Sequence, residues 1–168
     1  INEILLKNPD GFILDLRNNP GGLLRTAIEV TSYWVGGNDI IVIEKRRDGS
    51  FIAENAVNKN SLLRSLPTVV LINKGSASGS EIVAGALQDY KLSTLIGETS
   101  FGKGSVQDLK KLKDGSSVKL TIAKWLTPKT REIDAKGIEP DIKVELTEDD
   151  WNNNRDPQLD KALEILRK

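Results

Sequence analysis

The chain of 168 residues contains no histidine, no cysteine and no methionine. Without cysteine there are no disulfides, no thiol nucleophile and no thiolate metal site. Without histidine, a Ser-His-Asp triad and the usual zinc cages are excluded, and neither a metal nor a cofactor is expected. Any catalysis must come from Lys, Asp, Glu, Ser, Tyr or backbone amides. An excess of charge is missing too: 24 basic residues balance 24 acidic ones, so no net field favours nucleic acid or an anionic membrane surface. No apolar run approaches the length that crosses a bilayer. Residues 1–8, INEILLKN, are too short and too polar for a signal peptide. The chain starts inside an apolar-patterned segment, which reads as a piece of a longer protein. On that reading, membrane anchoring would come only from segments outside these residues.

The length suits one domain, residues 1–168, with a real core. Ile1, Ile4 and Leu5 read as the tail of a helix stopped by Asn8-Pro9-Asp10-Gly11. FILDLR (12–17) is a short apolar strand, followed by a dense turn signal, Asn18-Asn19-Pro20-Gly21-Gly22. Helical spacing of Leu24, Ala27, Ile28, Thr31 and Val35 predicts a helix over 23–35. Two strands flank an Asp48-Gly49 hairpin turn, and 55–66 reads as polar loop. PTVVLIN (67–73) has the continuous apolar character of a strand buried on both faces. A helix follows to about Tyr90, then another buried strand, STLIGE (93–98). VQDLKKL and SSVKLTIAKWLT flank Asp114-Gly115 as a second hairpin. After Pro128 the chain is irregular through Asp141. A last helix starts at Asp156-Pro157, with Asp as N-cap and Pro at the first helical position. Strands alternating with helices, plus two hairpins, indicate an α/β fold with a mixed twisted sheet and flanking helices.

The stretch GSASGSEIVAGAL (75–87) sets three serines at a helix start. Ser78-Gly79-Ser80-Glu81 matches the capping box, in which cap and third residue satisfy each other's backbone amides. One cap needs one serine, however, and Ser76 and Ser80 crowd the same place. A helix N-terminus also offers free N–H groups and partial positive charge to a developing oxyanion. A serine nucleophile needs a base. Lysine serves when burial lowers its pKa by penalising the ammonium form. Lys103 stands apart from the charged lysine patches, in Phe101-Gly102-Lys103-Gly104, between glycines and beside an aromatic ring.

Two other motifs overlap this turn. Gly97 to Lys103 matches most of a phosphate-binding P-loop, but residue 104 is Gly where the magnesium-binding hydroxyl belongs, and a strand-like segment follows. No nucleotide is therefore expected. Ser100-x-x-Lys103 matches the Ser-x-x-Lys of penicillin-binding enzymes, but Gly102 and Gly104 disfavour the helical turn it needs, and its partner motifs are missing. Asp15 and Arg17 are expected to pair locally or brace the Pro-Gly-Gly turn, and Trp34 and Trp125 to pack in the core or on a sheet face rather than stack on substrate.

Four blocks, GFILDLRNNPGGLL, VVLINKGSASGSEIVAGALQDY, IGETSFGKGSVQ and GIEPD, resemble the carboxyl-terminal processing, or tail-specific, proteases in the family's own order. The resemblance implies a serine endopeptidase with a Ser-Lys dyad. Ser78 would be the nucleophile, Lys103 the general base, and Gln107 the residue that orients the lysine. It implies an oxyanion hole from the backbone N–H groups of Gly79 and Gly22. It implies a core shared with crotonase-like and Clp-type proteases, protein or peptide C-terminal tails as partners, and an extracytoplasmic location in the bacterial periplasm or cell envelope. The chain departs from the family in having Gly79 where alanine is common, and in lacking the PDZ domain that usually precedes the core. The alternative is a noncatalytic module that holds peptide tails. Substrate peptides are expected to add to a strand edge, with the segment near KLTIAKW as one candidate.

Overall fold

The computed structural model describes residues 1–57 and 60–167. In chain order its elements are α1 (Asn2–Leu5), β1 (Phe12–Asp15), α2 (Leu24–Thr31), β2 (Ile40–Arg46), β3 (Phe51–Asn55), β4 (Thr68–Ile72), α3 (Gly79–Asp89), β5 (Thr94–Gly97), β6 (Ser105–Lys111), β7 (Ser117–Leu126), β8 (Ile142–Lys143), α4 (Glu148–Asn152) and α5 (Pro157–Leu166). The fold is α/β, and its parallel and antiparallel pairings divide between two sheets. One sheet, in the order β1-β4-β5-β8, is parallel throughout; the other, β3-β2-β7-β6, is antiparallel throughout. The second is two hairpins side by side, which the Asp48-Gly49 and Asp114-Gly115 turns dictate.

All five residues of β4 are buried, because β1 and β5 flank it and both sheet faces are covered. Period-two alternation divides its side chains. Val69 and Leu71 join Ile96 and Ala162 of α5 in a small cluster. Val70 and Ile72 join Leu95, Ile82, Val83 and Leu87 in the main core, which also takes in Ile41 and Val42 of β2. Every residue of α3 except Gln88 is buried, so this helix lies inside the domain. Full burial of each such aliphatic side chain contributes about 1.5–3 kcal/mol, which makes β4 and α3 a rigid base for what leaves their ends.

Trp34 is buried against Phe12 in an edge-on pair, ring centroids 5.5 Å apart, and its indole N–H donates to Thr68 Oγ1 at 2.9 Å. Trp125 is also core. The expected helix over 23–35 stops at Thr31. Thr31 and Ser32 hydroxyls bond back to the carbonyls of Ala27 and Ile28 at 2.7 Å. Residues 32–35 then turn, while Trp34 and Val35 stay buried. The loop expected over 55–66 is loop wherever it is described, apart from its first residue, which ends β3; Asn58 and Lys59 lie outside the described residues. The Asp156 cap forms as expected, accepting from Leu159 N–H at 2.9 Å with Pro157 in the first turn. Among the described residues no helix is long and apolar enough to cross a membrane.

Candidate active site

Three loops leave the C-terminal ends of adjacent parallel strands: residues 16–22 after β1, 73–78 after β4 and 98–104 after β5. Open parallel sheets present ligand sites at that end, and all five residues singled out by the sequence lie on these loops or just beyond them.

The first two loops are tied together. Asn18 N–H donates to Asn73 Oδ1 at 2.9 Å, and Asn73 Nδ2 returns a bond to Asn18 Oδ1 at 3.1 Å. Ala77 N–H donates to Asn19 O at 3.0 Å. The crowded serines now separate by role. Ser76 Oγ donates to Leu16 O at 2.7 Å and accepts from Asn73 N–H at 3.0 Å. Ser80 Oγ donates to Asn19 O at 3.0 Å. Both are loop ties, so their hydroxyls are spent.

Ser78 is different. It is the N-cap of α3, yet its hydroxyl makes no side-chain cap hydrogen bond. Both halves of the capping box are in place, the Ser78 side chain facing Glu81 N–H and Glu81 Oε2 accepting from Ser78 N–H at 2.8 Å, which leaves the Ser78 O–H free to donate. The backbone of Ser78 has φ 55° and ψ −115°, a sparsely populated conformation that costs of order 1–3 kcal/mol and marks functional turns. The serine is half-buried.

Against this turn packs Pro20-Gly21-Gly22. Gly21 has φ +86°, and a Cβ there would fall 2.4 Å from Ala77 O and 2.5 Å from Gly79 N. Only glycine lets the two backbones approach this closely. A Cβ on Gly79 would lie 3.3 Å from Gly22 N, so the two amides named from the sequence sit side by side next to Ser78. Neither N–H has a hydrogen-bond partner among the described residues. Behind them opens an apolar cavity of about 140 Å³, bounded by Gly22, Gly79, Leu16, Ala27, Val30 and Val83.

The third loop brings Lys103. Phe101 N–H donates to Ser76 O at 2.9 Å, and Gly102, at φ +87°, runs against the backbone of residues 135–137. The Lys103 side chain is exposed, and no hydrogen bond or ion pair engages its Nζ among the described residues. Phe101, beside it, is 67 % exposed. The apolar surroundings expected for this lysine are thus not formed, because the turn is packed through its glycine backbone rather than its side chains. Gln107 is also exposed, on β6, where the register against β7 shifts between Val106 and Gln107.

Two features went beyond the sequence reading. Glu81 is fully buried and accepts four hydrogen bonds, from Ser78 N–H, Lys103 N–H, Gly102 N–H and Ser100 Oγ. Only the capping-box half was visible in local spacing. Arg17 pairs with Asp15 at 2.7 Å, as expected, but also reaches across to Asp156 at 2.9 Å and Gln158 at 3.0 Å. The hydrogen bonds it donates to Asp15, and then to Asp156, raise the guanidinium above its ordinary range against the opposing effect of burial. This clasp fastens the start of the Pro-Gly-Gly loop to α5.

Comparison with known proteins bears on the same residues. The profile of peptidase family S41 matches residues 1–144. A carboxyl-terminal-processing protease of Synechocystis is 39 % identical over 169 aligned positions, covering 99 % of this chain and 39 % of that protein. The carboxy-terminal processing protease CtpA of Bacillus subtilis is 44 % identical over 146 positions, covering 87 % of this chain and 31 % of that protein. The solved photosystem II D1 C-terminal processing protease superposes with a TM-score of 0.75 at 34 % identity, covering 85 % of this chain and 36 % of that one. The chain therefore spans about a third of the length of these relatives. With the profile covering most of its length and three loops converging where that family's blocks fall, the chain belongs to peptidase family S41.

Proposed function

We propose that this chain is the catalytic core of a serine endopeptidase that cleaves near the C-terminal tails of proteins through an acyl-enzyme. The supporting observation is the division among the serines: Ser76 and Ser80 donate their hydroxyls to backbone carbonyls, whereas Ser78, on a strained turn, donates its hydroxyl to no group among the described residues. Beside it lie the amides of Gly22 and Gly79, neither hydrogen-bonded among the described residues.

In this reading Lys103 takes the Ser78 proton as Oγ attacks the scissile carbonyl. The carbonyl oxygen becomes an oxyanion received by the N–H groups of Gly22 and Gly79; each such donor commonly contributes about 10²–10³ in rate. Lys103 then protonates the leaving amine, and water, deprotonated by the same lysine, releases the acyl group. Gln107 accepts a hydrogen bond from Lys103 and fixes its rotamer. The apolar cavity next to the two amides receives the side chain on the acyl side of the cut, which favours small or medium apolar residues. Closure around Lys103 comes from the bound tail or from a further domain such as a PDZ module, and the work is done outside the cytoplasm.

A fluorophosphonate probe tests the assignment. Labelling is expected at Ser78, located by peptide mass, and is lost in Ser78→Ala and Lys103→Ala. Labelling retained in either variant refutes it. The exposed, unbonded Lys103 favours a second reading, a noncatalytic module that only holds peptide tails. That module would bind a tail peptide without labelling under any condition.

A further inference from the structure

We propose that Glu81 is a positioning residue, whose single carboxylate locks the backbone of the nucleophile turn to the backbone of the base turn and so sets the spacing of the dyad. This rests on the Ser78–Lys103 reading above. As a helix cap, Glu81 would need one bond, to Ser78 N–H. The structure gives it three more, from residues 19 to 22 positions downstream. Oε1 accepts from Ser100 Oγ and Gly102 N–H, both at 2.6 Å. Oε2 accepts from Ser78 N–H at 2.8 Å and Lys103 N–H at 2.9 Å. Ser100 extends the network, since its hydroxyl also accepts from Ile138 N–H at 2.7 Å.

The energetics argue for a purpose beyond stability. A buried carboxylate costs several kcal/mol of desolvation, and a packed apolar residue in its place is often as stable. What an apolar residue cannot do is receive the amides of two separate loops on one atom. Because Ser78 N and Lys103 N both lie within 2.9 Å of Oε2, the four-carbon lysine stem spans the gap from its fixed Cα to the Ser78 hydroxyl. A change of Lys103 rotamer then assembles the dyad without backbone movement. The same bond turns Ser78 N–H inward and sustains its positive φ.

Glu81→Gln separates positioning from folding. The amide presents N–H₂ either to Ser100 Oγ and Gly102 N–H, loosening the base turn, or to Ser78 N–H and Lys103 N–H, severing the link between the two turns. Two measurements on the complete protein decide. By hydrogen exchange, the amides of Ser78, Gly102 and Lys103 are expected to be protected in the wild type. In Glu81→Gln at least one turn should lose protection while Leu87 in mid-helix keeps it. With a peptidyl phosphonate, the maximal rate of Ser78 labelling is expected to fall on the order of hundredfold, the loss typical of a reacting group displaced by about an ångström, with half-saturation unchanged. Glu81→Asp, which keeps the charge but is a methylene short, should show the same split, which covers the case in which Glu81→Gln fails to fold. Unchanged protection overturns the proposal. So does a wild-type labelling rate in either variant, or a loss that appears only in half-saturation. A wild type that never labels overturns the dyad reading and this proposal together, whereas a labelling wild type with an equally reactive Glu81→Gln overturns this proposal alone.

Discussion

Replacing Gly21 by alanine probes whether the Pro-Gly-Gly turn supplies an oxyanion donor or merely a bend. The new Cβ would sit 2.4 Å from Ala77 O and 2.5 Å from Gly79 N, both backbone atoms, at φ +86°. Neither neighbour is a flexible side chain that swings away, so the turn itself must retreat from the nucleophile loop. The left-handed conformation alone costs an alanine about 1–2 kcal/mol. For a domain of this size each kcal/mol lowers the melting temperature by about 2–4 °C, giving a drop of a few degrees. The functional loss should be much larger, because Gly22 N–H moves with the turn. Losing one such donor costs about 10²–10³ in kcat, or 2.7–4 kcal/mol of transition-state stabilisation. The assay is steady-state cleavage of a tail peptide by the complete protein, with thermal melting alongside. A folded Gly21→Ala protein with wild-type kcat would refute the oxyanion assignment of Gly22, as would a change confined to KM.

Three further outcomes follow from the structure. Arg17→Lys keeps the charge but loses the fork that grips Asp15 and Asp156 together, and a loss of about 1–3 kcal/mol is expected by chemical denaturation. Asp156 is held below the usual carboxylate range: burial raises it, but the Arg17 guanidinium and Leu159 N–H outweigh that. Its contribution is therefore complete above the ordinary carboxylate range and fades as the pH falls through its lowered native value. The gap in melting temperature between wild type and Asp156→Asn should accordingly close on acidification. Val83→Phe, which fills the cavity beside Gly22 and Gly79, should shift cleavage toward glycine and alanine on the acyl side of the cut while Ser78 still labels; an unchanged preference in a peptide library would show that the cavity does not read the substrate.

Much of the scaffold was legible because its signals are local. β4 announced itself as a continuous apolar run, the hairpins as Asp-Gly turns, and α5 as Asp-Pro ahead of an apolar stripe. β8 and α4 were not legible: one is two residues long, and the other is a polar single turn and a half with no buried residue. The lysine loop was found by its glycines, but its exposure was not, since shelter for a side chain depends on what other segments place around it. Glu81 was hidden by its own local role, because a capping box explains a glutamate completely as far as neighbouring residues go.

The sequence by itself determined most of the longer strands, turns and helices, and which residue types are available for chemistry, since propensity and turn geometry act locally and the chain has no histidine, cysteine or methionine. Only the tertiary structure decided that the loops after β1, β4 and β5 meet, that Ser76 and Ser80 donate their hydroxyls to backbone while Ser78 does not, and that one buried carboxylate joins two of those loops. Those outcomes depend on parallel pairing of strands far apart in the chain and on the burial of α3 between two sheets, and packing over that distance leaves no mark in the spacing of neighbouring residues.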